Sequence, residues 1–460
     1  MFQSIQTAQS AQPYPCRDTR LTRLDKLIAF LTDHEQRLIK AMQADFTHRS
    51  REECLSLDLG TSMSQARQAR RHLKRWMRPR HVATPLAFWP ARARIHPQPR
   101  GVVGIMAPWN FPVYLAIAPL AGALAAGNRV MIKPSEHAPA TSTALADGLA
   151  QYFEADEIQV VLGGADVAAQ FSALPFDHLL FTGSTEIGRK VATAAAQNLT
   201  PVTLELGGKS PAIVMPSADL NRAARRIAWG RALSAGQVCV APDYALVPRD
   251  LVETFAAKIE KAWQRFYPQG AASPDYCGII SEPHKARLDA MLDEMRGKGV
   301  KVTQLTQTDL PQGQRKFAPA LVIDPPRDSA IMRQEIFGPI LPIIPYDTPQ
   351  EALNFVAQRD HPLALYVFAE NKLDQDLWLT QSQSGGVTIN DTVIQVAVDT
   401  LPFGGVGASG YGAYHGKTGF ETFSHMKPVV RQAKWNAMAL TEAPSTRRKS
   451  RILKIARRLM

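Results

Sequence analysis

Apolar residues recur at three-to-four spacing between Arg20 and Trp76, at Leu24, Leu27, Ile28, Leu31, Leu38 and Met42, which predicts a mostly helical N-terminal arm. After a proline-containing stretch (Pro85, Pro90, Pro97, Pro99), short apolar runs alternate with segments of helical period. Strands are predicted at Val102–Met106, 130–133, 158–162, 178–182 and Val202–Leu206, with helices near 141–152, 166–173 and 186–196 between them. Strand and helix alternating in this way predict an α/β fold with a mostly parallel sheet covered on both faces. The alternation resumes after Ala212, with helices near 220–234, 250–265 and 283–298, and this predicts a second α/β domain.

One run tests the pattern. Residues 101–128 carry no charge over 28 positions, longer than the ~20 apolar residues that span a bilayer. Pro108, Pro112 and Pro119 would each break a spanning helix. The run is therefore read as a buried strand at Val102–Met106, a loop at 107–112 and a small-residue helix at 113–126 ended by Gly127 and Asn128.

Composition narrows the class. A chain of 460 residues, 45% hydrophobic and 20% charged, has the balance of an ordinary globular protein of several domains. Cys16, Cys54, Cys239 and Cys277 lie far apart, and no CxxC or HExxH pattern occurs, so neither a disulfide scaffold nor a metal site is expected. The first twenty residues lack an apolar stretch, which points away from secretion and towards a reducing, cytoplasmic setting. Seven basic side chains crowd residues 447–460, and without them the net charge falls from +12 to +5. A second basic run, from Arg67 to Arg80, has no interleaved aromatic array and reads as a solvated helix face. No nucleic-acid partner is expected.

Several loops carry residue types suited to chemistry. Phe181-Thr182-Gly183-Ser184-Thr185-Glu186-Ile187-Gly188 follows a predicted strand and opens a predicted helix, an arrangement in which a phosphate can approach a helix N-terminus. It has two glycines where the dinucleotide fingerprint has three, and a strand–turn–helix without a ligand would look similar. Lys133 and Glu136, at the end of another run, could grip ribose hydroxyls or form a plain surface ion pair. Glu205 ends the apolar run 202–206 before Gly207-Gly208; burial there would raise its pKa towards that of a general base. A glutamate capping a strand–turn junction is the alternative. Cys239 lies in a small-residue loop between Gly236 and Pro242, where a thiolate could attack a carbonyl, although most lone cysteines are core filler. Asn110, held between Pro108 and Pro112, offers a side-chain NH₂ to the resulting oxyanion, with the Cys239 N–H as second donor.

Seven collinear motifs, PWNFP at 108–112, KPSE at 133–136, FTGST at 181–185, ELGGKSP at 205–211, GQVCVAP at 236–242, EIFGPI at 335–340 and PFGGVG at 402–407, together resemble the aldehyde dehydrogenase superfamily from about residue 20 to 430. The short N-terminal arm, HLKRWMRPR at 72–80 and APDY at 241–244 look most like its class-3, fatty and coniferyl branch. The resemblance implies a Rossmann-type NAD-binding domain with a helical arm (1–84 and 99–205), an α/β catalytic domain (206–387), a small β bridging element with its return segment (85–98 and 388–435) and a basic tail (436–460). It implies Cys239 as nucleophile, Glu205 as the base that activates the deacylating water and Asn110 as oxyanion donor. Lys133 and Glu136 would hold the adenosine ribose, Ser184 a phosphate, and Glu335 and Phe337 the nicotinamide ribose and ring; Trp109, Gly183 and Leu206 complete the cofactor set. The implied cofactor is NAD, with NADP the alternative, and no metal. Phe111, Tyr114 and Phe403 are the candidates to line a substrate tunnel, and a homodimer is expected.

The expected activity is oxidation of an aromatic aldehyde such as coniferaldehyde, or of a medium-to-long aliphatic one, to the acid. Two competing readings are transfer of the acyl group to coenzyme A, which commonly dispenses with the base, and a silent basic scaffold for polyanions. In the tail, Ile452, Ile455, Ala456 and Leu459 share one helical face beneath basic residues. That pattern suits either reversible attachment to anionic lipid or a solvated tail.

Overall fold

Parallel strands that are apolar on both faces need cover from both sides, and the chain supplies it around two of the three sheets found among the described residues. A computed structural model describes residues 1–85, 88–305 and 313–459. The first sheet has six strands in the order Gly410–Tyr411, Val202–Leu206, His178–Gly183, Val102–Met106, Arg129–Lys133, Ile158–Val160, all parallel except the first. The chain runs outward from Val102–Met106 through Arg129–Lys133 to Ile158–Val160, then returns to the other side at His178–Gly183. This reversal leaves a crevice at the carboxyl ends of Val102–Met106 and His178–Gly183, the kind of switch point where open α/β sheets bind ligands.

The second sheet has seven strands, with Ile340–Tyr346, Tyr244–Pro248, Pro211–Val214 and Ala364–Phe368 adjacent and parallel at its centre. In the third, Arg92–Pro99 pairs antiparallel with Arg80–Val82 on one side and Ser424–Arg431 on the other. The expected α/β class, with two mainly parallel sheets and a separate small β element, is what the chain forms.

The uncharged run resolves as a strand, a loop and the helix Tyr114–Ala126, buried on nearly every face. At 13 residues the helix is far below bilayer length, and it packs instead against the arm helices Arg17–Asp33 and Thr61–Trp76. Gly127 closes it in the left-handed conformation, φ 93°. Asn128 then donates to the carbonyls of Ala123 and Phe423 (3.0 and 2.9 Å) and accepts from the Gly101 N–H (3.0 Å). Arg67, Arg70, Arg71, Lys74 and Arg75 lie on the exposed face of Thr61–Trp76, as the solvated-face reading requires. The helix expected over 220–234 ends earlier, at Ala232, because Ser234 and Ala235 turn left-handed. Among the described residues, no helix is long and apolar enough to cross a membrane.

Candidate active site

Glu205 lies inside the first sheet, near the end of the strand Val202–Leu206. It pairs with Thr182 on one side and Gly410 on the other, so neighbouring backbone encloses it, and it is only 2% exposed. Both carboxylate oxygens are buried without a hydrogen-bond partner among the described residues. An unpaired carboxylate in such a place pays the full desolvation penalty, and burial alone raises its pKa well above the ordinary value. The two glycines that follow have a steric purpose at the first of them: a Cβ on Gly207 would overlap the Glu335 carboxylate. Burial, and then the neighbouring Asp243, push Glu335 up to about 8.

Cys239 reaches the same space from the second sheet. After Leu220–Ala232, three successive residues adopt left-handed backbone, Ser234 (φ 47°), Ala235 (φ 50°) and Gly236 (φ 74°). Two of them lack glycine's freedom, so the conformation is strained and must be held by its surroundings. Gln237, fully buried, does much of the holding. Its amide donates to the carbonyls of Ser234 (2.9 Å) and Gly278 (3.0 Å) and accepts from the Ile280 N–H (3.0 Å). Cys239 emerges half-buried from this fixed turn. Burial first, then the carboxyls of Glu335 and Glu205, push its thiol up to about 12. A thiol held that high keeps its proton at neutral pH, so a nucleophilic attack by it would need a base within the site.

Asn110 follows the strand Val102–Met106 and is 3% exposed. Its side-chain NH₂ donates to the Gln237 carbonyl at 3.1 Å, which uses one of its two hydrogens and ties its loop to that of Cys239. Trp109, beside it, stands edge-on to Phe337 (5.3 Å) and His284 (5.0 Å). Phe337 itself is held left-handed, φ 48°.

On the adjoining wall Ser184 caps the helix Thr185–Ala196, accepting from the Ile187 N–H at 3.4 Å. The first-turn N–H groups of such a helix have no intrahelical partners and face whatever binds there. Thr182 Oγ1 is another buried polar atom without a partner among the described residues. At the end of Arg129–Lys133, the Lys133 ammonium lies 2.7 Å from Glu136. Burial opposes ionisation of Glu136, but Lys133 outweighs it and holds the carboxyl below its usual range.

One cavity brings Asn110, Glu205 and Cys239 together with Trp109, Gly183, Ser184, Leu206, Glu335, Phe337 and Phe403. Lys133 and Glu136 lie off it, one strand further along the sheet. Phe111 and Tyr114 are not on its wall either. Phe111 packs on the Arg49 guanidinium (4.9 Å), and the Tyr114 hydroxyl is hydrogen-bonded to His415 Nε2 (2.9 Å). Seven lining residues were not among the expected site residues: Pro108, Leu115, Thr182, Gly207, His284, Arg287 and Leu363. Thr182 stood inside a quoted motif and could have been found. Leu115 and Leu363 belong to runs buried on all sides, whose pattern carries no sign of which side chain meets the cavity.

The chain matches the Aldehyde dehydrogenase family over residues 3–429. It is 48% identical to a probable coniferyl aldehyde dehydrogenase of Pseudomonas aeruginosa, covering 96% of this chain and 93% of that protein. With the coniferyl aldehyde dehydrogenase of Pseudomonas sp. strain HR199 it shares 45% identity, over 90% and 87% of the two chains. Its fold is similar to a solved structure described as the substrate-bound state of Staphylococcus aureus AldH, with TM-score 0.93, 35% identity and coverage of 100% and 98%. A Mycobacterium tuberculosis aldehyde dehydrogenase solved with NAD+ gives TM-score 0.82 and 25% identity, over 94% and 89%.

Proposed function

The chain belongs to the aldehyde dehydrogenase family, and from that premise we propose which residues carry the reaction and which aldehyde it takes. The protein is an NAD(P)-dependent oxidoreductase that converts an aldehyde to its acid. Coenzyme A acylation and a silent polyanion scaffold are not favoured.

Cys239 is the nucleophile, Glu205 the base and Asn110 the oxyanion donor. The observation that carries this assignment is the convergence of two loops and a strand end on one cavity, with the Glu205 carboxylate buried and unpartnered beside a half-buried thiol. A thiol pushed up to about 12 must give up its proton as sulfur bonds to the carbonyl carbon, and a carboxylate destabilised by burial is a strong acceptor for it. The carbonyl oxygen then gains charge, which the free Asn110 N–H and the Cys239 backbone N–H receive. Once the thiol proton has passed to solvent, the Glu205 carboxylate is free to take the proton of the water that attacks the thioester.

A bound nicotinamide dinucleotide would supply the acceptor for the hydride that the aldehyde carbon loses. The residues fit such a group. Lys133 and Glu136 would hold the adenosine ribose, and Ser184 with the N-terminus of Thr185–Ala196 would hold a phosphate. Gly183, Trp109, Leu206, Glu335 and Phe337 would line the nicotinamide end. A carboxylate that accepts two ribose hydroxyls repels a 2′-phosphate, so NAD is the preferred cofactor. Leu115, Leu363 and Phe403 give the aldehyde end apolar walls, suited to an aromatic substrate such as coniferaldehyde. Steady-state assays with coniferaldehyde, benzaldehyde and a long aliphatic aldehyde are expected to rank coniferaldehyde first in kcat/KM, with NAD at least about tenfold above NADP. A top rank for the aliphatic aldehyde would reverse the substrate reading, and equal use of the two cofactors would remove the role of Glu136.

Sheet membership supports dividing the chain into cofactor (1–84, 99–205), catalytic (206–387) and bridging (85–98, 388–435) regions, although Arg80–Val82 and Gly410–Tyr411 pair across these limits. The three-stranded sheet leaves Val82 and Val430 exposed, which supports pairing of two copies there. All four cysteines are free, in keeping with a cytoplasmic location. The tail forms the helix Arg447–Leu459, with Ile452, Leu453 and Ile455 exposed and no acidic residue in its length. Its charge matches an anionic bilayer. Sedimentation is expected to give a dimer mass without lipid, and co-sedimentation with phosphatidylserine vesicles that disappears when 447–460 are deleted. Unchanged vesicle binding after the deletion would rule the tail out as the anchor.

A further inference from the structure

The loops of Asn110 and Cys239 grow from different sheets, so chain connectivity does not set the gap between them. Besides the Asn110–Gln237 hydrogen bond, what spans that gap lies in the N-terminal arm. Arg49 is fully buried; its Nη1 sits 2.9 Å from the buried Asp58 carboxylate and donates to the Asn110 carbonyl oxygen at 3.2 Å. Its guanidinium also lies over the Phe111 ring, 4.9 Å from the centroid. Asp58 in turn accepts from the N–H groups of Val113 (3.2 Å) and Tyr114 (3.0 Å), where the Asn110 loop becomes the helix Tyr114–Ala126. On the other side, Arg49 Nε lies 3.8 Å from Glu53, whose second oxygen accepts from the Ser234 N–H at 3.0 Å. Ser234 opens the strained turn that delivers Cys239. Asp58 itself lies in a π-helical segment, Cys54–Gly60, an uncommon winding that occurs disproportionately at functional sites.

We propose that Arg49 is a positioning residue for acyl transfer: by gripping the Asn110 carbonyl and, through Glu53, the Ser234 turn, it fixes the oxyanion donor relative to the attacking sulfur. A planar guanidinium can address Asp58, Glu53 and the carbonyl at once, which a single ammonium cannot. The proposal rests on Asn110 being the oxyanion donor, and its test separates the two ideas.

The readout is single-turnover acylation by p-nitrophenyl acetate without cofactor. Here Cys239 sulfur bonds to the acetyl carbon, the thiol proton passes to the base and p-nitrophenolate leaves. Asn110→Ala is expected to slow this step about 10²–10³-fold. Arg49→Lys is expected to slow it at least about 10-fold in the otherwise native chain, and less than about twofold on top of Asn110→Ala, because its effect passes through that residue. If Arg49→Lys does not fold, Asp58→Asn keeps an acceptor for the Val113 and Tyr114 N–H groups and gives the same cycle. An equal slowing with and without Asn110, in a variant that melts as the native chain does, would overturn the positioning role. A rate unchanged by Asn110→Ala would instead overturn the oxyanion assignment, and the positioning role with it.

Discussion

Replacing Cys239 by serine should lower aldehyde oxidation by at least about 10⁴-fold, the scale on which enzymes lose rate when their nucleophile is removed. The exchange leaves the cavity nearly the same size and keeps a hydroxyl where the thiol stood. What it removes is ionisability: the thiol is already held up to about 12 by burial and by Glu335 and Glu205, and a hydroxyl at the same place starts several units higher. No other cysteine can substitute. Cys54 and Cys277 are fully buried, and Cys16 is exposed outside the cavity. Formation of reduced cofactor, followed by absorbance on wild type and variant with matched melting temperatures, tests this. A variant retaining a tenth of the activity would mean that another group forms the bond to carbon.

Glu205→Gln should slow both halves of the reaction, to different extents. The glutamine has the same shape and cannot take a proton from water, so deacylation is expected to fall by about 10²–10⁴-fold, the usual worth of a positioned base. If acylation survives better than deacylation, rapid mixing will show one equivalent of reduced cofactor per site, then a slow steady state. The pH dependence has a definite sign. Glu205 must be ionised to act, and burial raises its pKa well above the ordinary carboxylate value, so kcat should climb as pH rises through that raised pKa. The glutamine variant should lack this limb. Stability runs the other way, because a buried acid whose folded pKa is raised binds its proton more tightly in the folded state. That contribution is present below the unfolded carboxylate pKa and is lost as pH rises towards the folded value. The variant should therefore melt at a temperature equal to or above that of wild type at pH 8, a comparison made by calorimetry. A burst-free slow rate with a pH profile like that of wild type would move the base elsewhere.

Much of this arrangement is legible in the order of residues, for reasons that differ by segment. Val102–Met106 and Val202–Leu206 are apolar runs bounded by Gly101 and Pro201 before them and by loop residues after them, and they form strands with those same limits. Asn110, Ser184 and Glu205 stand out because each sits at a carboxyl strand end, where the α/β architecture opens its crevice. Direction on a fully buried helix is another matter. Tyr114 and Leu115 are neighbours on a helix without a polar face, and only packing decides that Leu115 meets the cavity while Tyr114 bonds to His415. Arg49 is illegible for the opposite reason. A basic residue in a charged arm reads as surface, and its burial depends on Glu53, Asp58 and a loop 61 residues away in the chain.

The pairing of Gly410 with Glu205 also orders events during synthesis. The strand that closes the sheet beside Glu205 is made about 200 residues after its neighbour, and at about 5–20 residues per second the ribosome delivers it about 10–40 s later. Until then Val202–Leu206 is an open edge, the kind of surface through which unfinished chains aggregate. The nascent protein already carries Cys239 by that time, but the enclosure of Glu205 is complete only when Gly410–Tyr411 emerge and fold back beside it.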